Sequence, residues 1–145
     1  MNKSRSTLFL MELILAILFF SIASAVCVQM FVKSHLLSKE SRELNHAVIW
    51  CESMAETFYG CNGDLSKVSE ILSSPGLVKE TSEELQICYD KEFKETSLDN
   101  AAYMVSGKLS SSEDLLTLNI TCVDLYNNNT FYEITATLYP KNTKE

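Results

Sequence analysis

The first 59 residues contain neither glycine nor proline, and the whole chain of 145 residues has only 4 glycines and 2 prolines. That scarcity rules out a glycine-rich phosphate cradle, a dinucleotide fingerprint or a nucleophile elbow in the N-terminal half, and none of these motifs occurs further on. Histidine is equally sparse. His35 and His46, the only two, are eleven positions apart and cannot share a site within one chain, and His46 with Glu43 or Cys51 makes no metal-ligand spacing. Both read as surface histidines. A basic excess is missing too: 12 Lys and Arg face 19 Asp and Glu, a net charge of −7. A chain so acidic does not contact nucleic acid directly, because phosphate binding needs a basic face. The adjacent carboxylates Glu83-Glu84 and Glu113-Asp114 point apart and read as solvated turns. The expectation is therefore no enzyme, no cofactor and no metal.

What the chain has instead is a long apolar run. Between Leu8 and Val32 lie 25 residues with a single charge, Glu12. As a helix the run is about 37 Å long, enough to cross a hydrocarbon core of about 30 Å with some tilt. The preceding head, 1–7, carries Lys3 and Arg5, which favour a cytoplasmic N-terminus; Lys33, Lys39 and Arg42 beyond the run weaken that asymmetry. The portion from Lys33 onward holds 10 Lys and Arg against 18 Asp and Glu, a charge of −8. This reads as a single-pass protein of the inner or plasma membrane with an acidic extracytoplasmic domain. A cleaved signal peptide is the rival, since Ala23-Ser24-Ala25 fits a cleavage site. The run continues past that point to Val32, however, and Glu12 is foreign to a signal peptide's apolar core.

A carboxylate within a membrane helix costs about 2.5–3.5 kcal/mol unless it reaches water or a partner. Its setting, Ser6-Thr7-Leu8-Phe9-Leu10-Met11-Glu12-Leu13-Ile14-Leu15-Ala16-Ile17-Leu18, resembles the N-terminus of type IV pilins and of the pseudopilins of type II secretion and DNA-uptake systems. In that family a short basic leader is removed, and a lone glutamate follows four residues after the first mature residue. The resemblance puts the cut between Thr7 and Leu8, with Thr7 standing where the family has glycine, and puts Glu12 in the register-setting position. There the acid can pair with the amino terminus of a neighbouring subunit, or with a neighbour's Lys3 or Arg5 if Leu8 is not freed. The implied partners are membrane lipid, other pilin-like subunits and prepilin peptidase. Small residues suited to close helix packing lie at Ala16, Ser21, Ser24 and Ala25.

Beyond the span, helix formers continue without a breaker, predicting one helix over 8–58 that stops at Gly60 and Gly63. The segment 33–43 is a polar neck. From Leu44 an apolar stripe (Ala47, Val48, Cys51, Met54, Ala55, Phe58) needs a covering surface. Asp64 is an N-cap for a short helix over 64–73 with Leu65, Val68, Ile71 and Leu72 on one face, and Pro75-Gly76 is a turn. Four alternating runs, 85–93, 102–109, 116–125 and 131–139, read as strands, with Asn127-Asn128-Asn129 as a hairpin loop. The expected fold is α+β: a long N-terminal helix packed on a four-stranded antiparallel sheet, which is also the pilin-like architecture. Its parts are the head 1–7, the span 8–32, the helix continuation 33–59 and the outer domain 60–145.

Cys27 reads as an apolar filler in the span. Cys51, Cys61, Cys88 and Cys122 lie outside, where an oxidising setting permits bridges. Cys88–Cys122 and Cys61–Cys88 are the leading pairs, ahead of Cys51–Cys61, and a reduced Cys51 in the core is the alternative. Four-cysteine zinc lacks its paired spacing. The sequons at Asn119 and Asn128 read as chance matches. Two functions follow: a structural minor pilin or pseudopilin-like subunit, favoured by Glu12 and the unbroken helix, or a non-polymerising membrane-tethered binding module, favoured by Thr7.

Overall fold

A computed structural model gives the fold and describes residues 3–72, 76–81, 83–112 and 115–139. The side chains of Lys3 and Arg5, the Pro75 part of the expected turn and the Glu113-Asp114 pair lie outside the described residues. The elements are α1 (Lys3–Gly60), α2 (Leu65–Ile71), β1 (Leu77–Glu80), β2 (Glu84–Tyr89), β3 (Tyr103–Ser112), β4 (Leu115–Asp124) and β5 (Asn129–Leu138). The chain divides into two compact units, Met1–Arg42 and Glu43–Glu145, so the second unit takes in the last turns of α1.

In the second unit, α1 packs on an antiparallel sheet in the order β1-β2-β3-β4-β5, an α+β fold. Four strands are those expected; β1, of four residues, adds an edge. The alternation in the sequence sets the register. Ile87, Val105 and Cys122 form one cross-strand row, and Leu85, Gly107 and Ile120 the next. These rows face the helix, whose Ala47, Cys51, Met54, Ala55 and Phe58 are buried against them. Gly107 permits the approach, since a Cβ there would lie 2.9 Å from Met54 Sδ and 3.3 Å from Leu118 Cδ1. Leu44 alone of the expected stripe stays largely exposed. The helix end is tied to the far edge of the sheet, where the Thr137 N–H donates to Tyr59 Oη at 3.2 Å.

α1 stops at its first glycine, Gly60, as expected, and a turn follows it. The left-handed residues are Asn62 and Gly63, with φ of 53° and 85°. The Gly63 N–H donates to the Phe58 carbonyl at 3.0 Å, satisfying an end carbonyl of the helix. α2 is capped by Asp64, which accepts the Ser66 N–H at 3.1 Å. Leu65 and Val68 are buried, whereas Ile71, the last residue of α2, is exposed and the next residue, Leu72, packs against the core. Strand β2 is shorter than its run of residues: the chain turns at Asp90. At the β4–β5 hairpin, Asp124 is buried, yet it accepts the Tyr126 N–H at 2.8 Å and an Asn127 Nδ2 hydrogen at 2.7 Å. A register shift on β5 opposite Cys122 and Val123 inserts Phe131 as an extra residue, and Phe131 and Tyr132 both pack against the core.

All five cysteines are free thiols, which corrects the expected bridges. Cys88 pairs with Met104 and Cys122 with Val105, which are successive residues of β3. Cys88 and Cys122 therefore point to opposite faces of the sheet, about 10 Å apart with a strand between them. A disulfide needs Cα atoms within about 7 Å. Cys61 belongs to the core on the helix side, whereas Cys88 is buried on the other face. Cys51 and Cys61 are about 15 Å apart along the axis of α1. Burial pushes the Cys51 thiol up to about 12, with the neighbouring Glu52 adding to the rise. The Cys122 thiol is likewise pushed up to about 12, first by burial and then by Cys51.

Candidate functional site

Two surfaces remain once the core is accounted for. The first is the N-terminal half of α1, the one described helix long and apolar enough to cross a membrane by length and composition. Its side chains are exposed on every side: Leu8 at 64%, Phe20 at 76% and Phe31 at 78%. Apolar exposure of this extent around a whole helix needs an apolar surrounding. Glu12 is exposed within it and has no hydrogen bond or ion pair to a described residue. Thr7 and Leu8 lie inside regular helix, not at its start. Ser21 donates back to the Ile17 carbonyl at 2.8 Å, so its hydroxyl is satisfied without a neighbour. At 3.6 residues per turn, Ser21, Ser24 and Ala25 share about 100° of arc, while Ala16 lies about 140° from Ser21. The structure thus groups three of the four small residues.

The second surface was not anticipated. It starts from a tight loop after β2. Asp90 Oδ1 accepts the Glu92 and Lys94 N–H groups at 2.8 and 3.0 Å, and the Asp90 N–H donates to the Lys94 carbonyl at 2.8 Å. This closure holds Phe93 at φ 64°, a left-handed conformation that costs a bulky residue energy. The ring is thereby turned onto α1. It stacks on His46 with centroids 4.0 Å apart, and next to it Trp50 stacks on Tyr89 at 3.9 Å. Tyr103 joins the cluster at 5.7 Å from Phe93. His46 is consequently half-buried in an aromatic stack, a correction to its reading as a surface residue; His35 is exposed as expected. The Tyr103 hydroxyl donates to Glu43 Oε1 at 2.9 Å. Burial first, then this bond, raises the Tyr103 pKa; burial, then Glu95, raises that of Tyr89.

Beside this cluster opens a groove of about 540 Å³, with Trp50, Met54, Leu72, Ile87 and Tyr89 among its walls and Lys94 and Glu95 at its rim. Lys94 Nζ donates to Glu92 Oε2 at 2.8 Å, and that bond raises its pKa. The sequence showed Met54 and Leu72 as members of apolar faces, but nothing in it joined these residues into one site. Trp50 and Phe93 are 43 positions apart, and only the turn at Asp90 brings them together. Among the described residues no group of three His, Cys, Asp or Glu is placed to hold a metal ion. Compared with family models, with curated proteins and with solved structures, the chain matches none.

Proposed function

We propose that this chain is a membrane-anchored structural subunit of pilin or pseudopilin type, serving a type IV pilus, a type II secretion or a DNA-uptake assembly, and not an enzyme. Its N-terminus is cytoplasmic and its acidic unit extracytoplasmic. The observation that carries the reading is Glu12, a lone acid in an apolar helical segment exposed all round. Left unpaired in hydrocarbon it costs several kcal/mol; paired with a positive group of a neighbour it sets the axial register of subunits. A helix that is apolar in its first half and sheet-packed in its second supports the same reading. Prepilin peptidase is the processing partner if the leader is removed at Thr7–Leu8.

The test joins two measurements. Mass spectrometry of the chain from the membrane fraction is expected to find Leu8 as the first residue, and Glu12→Gln is expected to abolish co-assembly in native gels. Thr7 favours a second reading, a static anchor for a binding module. A full-length chain whose assembly ignores Glu12→Gln would establish that one instead.

A further inference from the structure

We propose that the aromatic-walled groove docks the helical neck Lys33–Arg42 of a second copy of the chain. The charge is segregated by unit: Met1–Arg42 holds 5 Lys and Arg against 2 Asp and Glu, whereas Glu43–Glu145 holds 7 against 17, or +3 against −10. The groove inherits the acidic sign. Its one lysine, Lys94, is held by Glu92 at 2.8 Å, so Glu95 sets the charge of that rim. On the helix side, Ile49 lines the groove at 50% exposure, and Glu56, exposed, lies two turns along the same stripe and one turn past Ser53.

An apolar floor with an acidic border selects an apolar segment with a basic border. Two grooves facing each other would set one −10 unit against another, which disfavours a symmetric dimer. The neck is the complementary part of this chain. Leu36 and Leu37, 53% and 67% exposed, are flanked by Lys33, Lys39 and Arg42, with Glu40 the only acid. The groove has room for a few side chains, which suits two leucine anchors on a helix and not a whole backbone. Because neck and groove are different surfaces, each docked copy leaves one of each open, and the contact propagates head to tail. The inference rests on the self-assembling reading above and names the contact outside the apolar span.

The experiment uses the full chain in detergent micelles, with Ile49→p-benzoylphenylalanine and a mixture of isotope-labelled and unlabelled copies. Irradiation is expected to link position 49 of one copy to 33–42 of the other. The link is expected to be lost in Glu56→Lys/Glu95→Lys and to return when Lys33→Glu/Arg42→Glu is present in the same chain. Oligomers without that link, or a link indifferent to both charge reversals, overturn the docking and leave the assembly reading standing. A chain that is monomeric throughout overturns both.

Discussion

Phe93 allows two opposing forces to be separated by a pair of substitutions. Its ring is half-buried against His46, Trp50 and Tyr103, and its backbone sits at φ 64°. Removing the ring forfeits about 1–2 kcal/mol of apolar burial for a half-buried aromatic and about 1 kcal/mol of ring packing. Phe93→Ala keeps the left-handed conformation and is therefore expected to cost about 2–3 kcal/mol. Phe93→Gly loses the same ring but releases about 1–2 kcal/mol of backbone strain, against roughly 0.7 kcal/mol of extra unfolded-state entropy. Glycine should therefore be more stable than alanine by about 0.3–1.3 kcal/mol, the reverse of their order in helices and strands. The assay is urea unfolding of the full chain in micelles, followed by the fluorescence of Trp50, the single tryptophan, which stacks on Tyr89 beside the mutated site. A glycine variant equal to or less stable than the alanine variant would refute the argument, since the loop would then hold Phe93 without strain.

Four further outcomes follow from the unit Glu43–Glu145. Tyr103→Phe removes a bond to Glu43 and should cost about 1–2 kcal/mol by the same urea assay. The Tyr103 and Tyr89 pKa values are raised in the folded state, so the folded chain holds those protons more tightly. Stability from this source is complete below the unfolded tyrosine value of about 10 and falls as pH rises past it, and Tyr103→Phe should flatten part of that fall. With thiols raised to about 12, Cys51 and Cys122 are ionised to about one part in ten thousand at pH 8, so both should resist maleimide in the native chain and react on unfolding; native labelling read by mass spectrometry would show otherwise. Gly63→Ala puts a Cβ 2.6 Å from Leu116 Cδ1 at φ 85°, and should lower the urea midpoint by an amount equivalent to about 2 kcal/mol.

What the residues determined alone were periodicities and their interruptions. The apolar run 8–32, the stripe from Ala47 to Phe58 and the alternation from Leu116 to Cys122 each repeat a local geometry, so the helix-on-sheet fold is legible in them. The N-cap at Asp64 is legible for the same reason, because a cap acts within three residues. What tertiary structure decided was whatever depends on partners distant in sequence. Cys88 and Cys122 both sit in strands, but whether they meet depends on the register of β3 between them, which sends them to opposite faces. His46 read as a surface residue because it makes no metal-ligand spacing; a ring 47 positions later half-buries it. The groove likewise exists only because the Asp90 turn reverses the chain and forces Phe93 into an unfavoured backbone. Local sequence encodes direction and periodicity, whereas contact between remote side chains is settled by packing and by the strain the fold can sustain.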